Sequence, residues 1–168
     1  PQPAEERVAI ARRTLNAALS YGIPKEDVWI DCLTLTVSAQ QEQAVETLKA
    51  VHTVRHELGL QTVLGVSNIS FGLPNRPLIT QSFLTQAMFA GLTLPIINPN
   101  QKAMMDAVAA FRVLSGEDAQ CQAYIARFAE EPAAVAVPAA SGSMTLEDTI
   151  VRGLQADAAA LAKTALQN

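Results

Sequence analysis

Three short apolar runs in this chain each end on a group able to make directed hydrogen bonds. Val28-Trp29-Ile30 runs into Asp31, Thr62-Val63-Leu64 into Gly65 and then Ser67-Asn68, and Leu94-Pro95-Ile96-Ile97 into Asn98. A carboxylate only accepts, a carboxamide both donates and accepts, and a hydroxyl adapts to either. An aspartate directly after a buried strand costs several kcal/mol unless it is partnered. A ligand with adjacent N–H donors would satisfy it. The competing reading is that Asp31 caps a following turn and that Ser67-Asn68 forms an Asx or Ser turn. The stretch from Gly65 to Arg76 is twelve residues long with two glycines, more than a simple connection needs.

Other chemistries find less support. His52 and His56 are four apart and could share a metal on a helix, but no Glu lies between them and no third ligand is near. They read as a solvated helix face, and no metal is expected. Neither a GxGxxG run, a P-loop nor a Gly-x-Ser-x-Gly elbow is present, and two histidines make a Ser-His-Asp triad improbable. Cys32 and Cys121 belong to no metal spacing and read as free thiols in a reducing compartment. Met88, Met104 and Met105 read as helix packing.

The elements that must position these groups repeat. From Ala4 to Tyr21 the residues Val8, Ala11, Leu15, Ala18 and Leu19 recur at helical spacing, and Gly22 stops the helix. A buried strand at 28–30 follows. Next come a helix from about Gln40 to Leu58, Gly59, and the strand 62–64; then a helix from about Ile79 to Ala90, Gly91, and the strand 94–97. The stop glycines lie 37 and then 32 residues apart, the period of a β/α unit. Each suits the left-handed position after a helix and is followed by an aliphatic residue that can pack back. Strands separated by helices run parallel through right-handed crossovers, which predicts a parallel sheet covered by helices. Pro95 is tolerable at the start of a strand.

Helices are also expected at Lys102 to Leu114 and, more weakly, around Ala119 to Phe128. Between 131 and 144 the Pro, Ala, Val, Ser and Gly content predicts a linker. Beyond it Thr145 and Asp148 resemble a capping box that opens a helix over 145–168. Three strands are too few for a complete barrel, so the sheet is either small and open or the back part of a barrel. The chain opens on Pro1 and is expected to be a piece of something longer.

Composition bounds the partners. Of 168 residues 49% are hydrophobic and 17% charged, with a net charge of −4, which describes a globular domain large enough to fold without staples. A nucleic-acid partner is not expected, because no stripe of Lys and Arg exists to neutralise phosphates; Arg12-Arg13 and the set Lys49, Arg55, His56 read as solvated helix faces. No apolar run approaches the roughly 18 residues of a membrane span, and no signal peptide is visible. A cytoplasmic location is expected.

The run Gly65-Val66-Ser67-Asn68-Ile69-Ser70-Phe71-Gly72-Leu73-Pro74, with Arg76, resembles the pterin-binding methyltransferases that use methyltetrahydrofolate, and among them the folate domain of cobalamin-dependent methionine synthases. The similarity covers most of residues 1 to 116. It implies an α/β fold that is the later part of a (β/α)8 TIM barrel, residues 1–130, followed by the linker and a C-terminal helix resembling the start of a cobalamin cap domain. It further implies a pterin site made of Asp31, Gly65, Ser67, Asn68, Arg76 and Asn98. In it Asp31 would accept from the pterin amino group and ring N–H, and Asn68, the expected catalytic residue, would hydrogen-bond near N5. The methyl of methyltetrahydrofolate would pass to cob(I)alamin on a cobalamin-binding domain or corrinoid protein, for methionine synthesis from homocysteine.

Departures from the family pattern carry information too. Cys32 stands where proline is often found, and Phe71 replaces a polar residue of some corrinoid-protein members, which favours the methionine synthase branch. The cobalamin signature Asp-x-His-x-x-Gly is absent, so the resemblance implies that this chain ligates no corrinoid, and that alone it has little or no turnover. Dihydropteroate synthase is the second reading. The third is a non-catalytic module whose exposed sheet edges drive self-association.

Overall fold

The computed structural model describes residues 3–129 and Lys163. The expected linker at 131–144 and, Lys163 aside, the expected helix at 145–168 lie outside the described residues. In chain order the elements are α1 (Ala4–Ser20), β1 (Trp29–Asp31), α2 (Glu42–His52), β2 (Gln61–Gly65), α3 (Arg76–Ala90), β3 (Leu94–Ile96), α4 (Lys102–Leu114) and α5 (Gln122–Phe128). No helix among them is long and apolar enough to cross a membrane.

The three strands form a parallel sheet in the order β1-β2-β3. Asp31 lies opposite Val63, Val63 opposite Leu94, and Gly65 opposite Ile96. This register brings all three C-terminal strand ends to one edge of the sheet. The α/β architecture of parallel β/α units is therefore present, built as the glycine repeat implies. Gly22 and Gly91 have φ of +77° and +113°. In both places the two residues after the helix bond back in a paired 6→1 and 5→2 pattern, Ile23 to Ala18 with Gly22 to Leu19, and Leu92 to Ala87 with Gly91 to Met88. The middle unit differs: α2 passes into a wider turn over Thr53–Glu57, where Leu58 N–H donates to Thr53 C=O. The backbone at Gly59 is again left-handed.

Side-chain alternation along the strands divides the sheet into two faces. On one, Thr62 and Leu64 of β2 are fully buried with Ala50, Val51, Val54, Phe83, Leu84 and Ala87 of the helical layer. Side chains of the size of Leu64 and Leu84 each contribute about 1.5–3 kcal/mol by leaving water. The other face is uncovered: Trp29, Leu94 and Ile96 are 48%, 46% and 59% exposed. Two expectations change as a result. The strand ending at Asp31 is not buried on both sides, and the sheet has helices on one face only among the described residues, whereas parallel sheets ordinarily have both faces covered.

Three smaller differences have local causes. Leu19 is half exposed, whereas Arg7 is buried with Ala4, Val8 and Ala11, so the covered stripe of α1 is rotated toward its first turns. Helix α3 begins at Arg76, not near Ile79, because Pro77 sits in the first turn, where its missing N–H has no intrahelical partner to lose. Pro95 is the middle residue of β3, tolerated because β3 is an edge strand of the described sheet.

Candidate functional site

At the end of β1, Asp31 is exposed and its Oδ1 accepts the Leu33 N–H at 2.8 Å. The expectation of a buried carboxylate in need of a ligand is corrected. Asp31 closes an Asx turn and meets solvent, because β1 is an edge strand with an open face. Oδ2 accepts no hydrogen bond from the described residues, so half of the carboxylate is free. Leu33 adopts φ +62°, a left-handed conformation unfavourable for leucine. Cys32, between them, is 2% exposed; burial, then the charge of Asp31, pushes its thiol up to about 12.

At the end of β2, Val66–Ser70 winds into a single 3₁₀ turn, so the long loop is partly ordered by its own backbone. The turn is held by carbonyls: Phe71 N–H donates to Asn68 C=O at 3.2 Å, and the Ser67 C=O accepts from Ser70 Oγ at 3.2 Å and from Arg76 Nη2 at 2.9 Å. Below it, the buried Ser70 and Thr80 hydroxyls bond at 2.8 Å, and Arg76 Nε donates to Ser70 Oγ at 3.2 Å. The Arg76 guanidinium lies 5.3 Å from the centroid of the Phe71 ring. Neither the Ser67 hydroxyl nor the Asn68 carboxamide is used in these contacts, and both residues are exposed. The Asx-turn alternative therefore does not hold at Asn68. Gly65 makes room for it, since a Cβ there would stand 3.1 Å from Asn68 Nδ2.

At the end of β3, Asn98 Oδ1 accepts the Asn100 N–H at 3.0 Å, another Asx turn. A cleft of about 470 Å³ brings Ser67, Arg76 and Asn98 together with Thr80, Gln101 and Met104, within the size range of small-molecule sites. Asp31, Gly65 and Asn68 do not line it. Asp31 borders a separate groove of about 320 Å³ with Trp29 and Arg7, and Gly65 and Asp31 share the open face of the sheet through the register. Thr80, Gln101 and the buried Arg7 were not among the residues singled out by sequence. The one signal for Arg7 was a charge three positions after Ala4 and one before Val8, inside an apolar stripe.

The histidines stay away from these strand ends. His52 and His56 are exposed, on α2 and the turn after it, with ring centroids 4.7 Å apart. No group of three or more His, Cys, Asp or Glu among the described residues is arranged to hold a metal.

Residues 2–98 match the family described as pterin binding enzyme. The chain belongs to that family. It is 28% identical over 129 residues to the methylcorrinoid:tetrahydrofolate methyltransferase of Eubacterium limosum, covering 76% of this chain and 48% of that protein. It is 38% identical over 106 residues to the methionine synthase of Mycobacterium leprae, covering 58% of this chain and 9% of that protein. The methionine synthase of Mycobacterium tuberculosis is 33% identical over 114 residues, covering 62% and 10%. The chain thus spans about half the length of one curated relative and about a tenth of the other two. This pterin-binding family member is related to methyltransferases of both the corrinoid and the methionine synthase kind.

Proposed function

We propose that this chain supplies the later strands of a (β/α)8 barrel that binds methyltetrahydrofolate and passes its N5 methyl to cob(I)alamin carried by a partner domain, for methionine synthesis from homocysteine. The observation that carries the proposal is the free carboxamide of Asn68, presented on a braced turn at a parallel strand end, with a half-free aspartate at the end of the adjacent strand. The uncovered sheet face supports the barrel reading, because earlier strands of a closed barrel would shield Trp29, Leu94 and Ile96.

The chemistry asks for such a group. The methyl leaves a tertiary amine, a poor leaving group unless N5 gains a proton or a strong hydrogen bond as charge develops. An amide is no proton source, so Asn68 stabilises a proton that arrives from solvent or substrate. Asp31 accepts from the pterin amino group and ring N–H; each carboxylate oxygen has two lone pairs, so the Leu33 bond does not exhaust Oδ1. Ser67, Arg76 and Asn98 orient the ring and its loop, with Gly65 leaving space. The corrinoid, when docked by the partner, supplies the nucleophile that takes the methyl.

In the complete polypeptide, Asn68→Ala is expected to lower single-turnover methyl transfer by about 10²-fold, in the range of other lost transition-state donors, while weakening folate binding by much less. Equal transfer rates in variant and parent would sink the proposal.

A further inference from the structure

Arg7 is 6% exposed in α1, and its guanidinium reaches residues 25 to 40 positions further along the chain. Nη1 shares its two protons among Cys32 C=O at 3.0 Å, Leu33 C=O at 2.8 Å and Thr47 Oγ1 at 2.7 Å, and Nη2 donates to Gln43 Oε1. Thr47 Oγ1 also lies 3.1 Å from Leu33 C=O. Leu33 is therefore held from both sides: its carbonyl by Arg7 and Thr47, and its N–H by Asp31 Oδ1 at 2.8 Å. It serves both at φ +62°. For a leucine that conformation is unfavourable, so something must enforce it.

An apolar side chain could join α1 to this loop more cheaply than a desolvated guanidinium. The cluster also leaves Arg7 Nε, Gln43 Nε2 and Thr34 Oγ1 buried with no hydrogen-bond partner. A fold that accepts strain and unsatisfied polar atoms at one spot marks that spot as more than packing. We propose that Arg7 is a positioning residue that sets the orientation of the Asp31 carboxylate by holding Leu33 in its left-handed conformation. The proposal rests on the reading of Asp31 as the pterin acceptor.

The test combines amide hydrogen exchange on the full chain with methyltetrahydrofolate titration of the complete polypeptide. Lysine offers a point charge that cannot span two carbonyls and Gln43. In Arg7→Lys, exchange at residue 33 is expected to accelerate about 10-fold relative to Val63 and Leu64 in β2, and the folate Kd to rise by about 10-fold, the equivalent of the released strain. Adding Leu33→Gly should recover part of both, because glycine takes a positive φ without penalty. The proposal is overturned if Arg7→Lys accelerates exchange at residue 33 no more than at the β2 amides, or if Leu33→Gly recovers nothing, as a merely structural arginine would give. Asp31→Ala separates the two ideas: unchanged folate affinity in that variant defeats the pterin reading, while the exchange data still decide whether Arg7 holds the turn.

Discussion

The ends of β1 and β2 lie side by side on the same sheet edge, yet they are held by different means. The β2 end is braced by side chains of its own stretch of sequence and by the loop after β1: Arg76 bonds back to Ser67 C=O nine residues earlier, Ser70 meets Thr80 ten residues later, Thr36 Oγ1 and Ser38 Oγ donate to Phe71 C=O at 2.7 and 2.8 Å, and Val37 N–H donates to Ile69 C=O at 3.0 Å. The β1 end is braced from across the fold, by Arg7 before it and by Gln43 and Thr47 after it, around a left-handed Leu33 and a buried Cys32. Arg76 is exposed and Arg7 is buried. The comparison teaches that one loop is held at the surface, by an exposed arginine of its own stretch and by the neighbouring loop, while the other borrows its geometry from a buried arginine of α1.

The thiol chemistry of Cys32 sharpens this contrast most. Its pKa stands near 12 against an ordinary 9.0 because burial, and then Asp31, disfavour the thiolate. Near pH 8 the native thiolate fraction is then about a thousandfold below that of an unperturbed thiol. Iodoacetamide labelling read by mass spectrometry should modify the half-exposed Cys121 and leave Cys32 unmodified until the protein is unfolded. The sign for stability follows from the raised folded value. The contribution is fully present below pH 9 and is lost as pH climbs toward 12, where the unfolded chain gains by ionising. Native labelling of Cys32 as fast as Cys121 would mean that the β1 end opens freely, and the contrast would collapse.

Next in size is a matched pair of arginine substitutions. Arg7→Met leaves the Cys32 carbonyl and the Gln43 amide oxygen without their donor and the Leu33 carbonyl with Thr47 alone, which is expected to lower stability by about 2–4 kcal/mol. Arg76→Met removes bonds that water can replace and should change it by less than about 1 kcal/mol. Urea midpoints measure both. Equal losses would show that the β2 end depends on the fold as much as the β1 end does.

This contrast also explains how much could be read from the sequence. The β/α repeat was legible because its punctuation is local: a left-handed glycine and an aliphatic residue after each helix. Ser67, Asn68 and Arg76 were legible because they stand within one short contiguous run. The environment of Asp31 was not, since whether an edge strand is buried depends on what covers its face, and no pattern in 28–31 encodes that. Arg7 escaped for a related reason: its partners lie 25 to 40 positions away, and its only local trace is a charge on an apolar stripe. Helix α3 starts earlier than its apolar spacing implies, at Arg76, because proline ends helices more visibly than it begins them.

The smallest expected change in stability belongs to Gly65→Ala, and it divides packing from function at the β2 end. Gly65 has φ −75° and ψ +82°, a conformation an alanine can take, so no backbone strain arises. The new Cβ would stand 3.1 Å from Asn68 Nδ2 and 3.8 Å from Asn68 Cγ. Because Asn68 is exposed and its carboxamide is unbonded, it can swing aside by a few tenths of an ångström, and the thermal midpoint should move by no more than about 0.5 kcal/mol allows. Reacting groups tolerate such displacements poorly. If Asn68 stabilises the developing charge at N5, Gly65→Ala in the complete polypeptide slows methyl transfer while folding and folate affinity stay nearly unchanged. A variant that folds, binds and transfers at the parental rate would show that the position of this carboxamide is not what the turn exists to fix, and would return the weight of the site to Asp31 and its borrowed geometry.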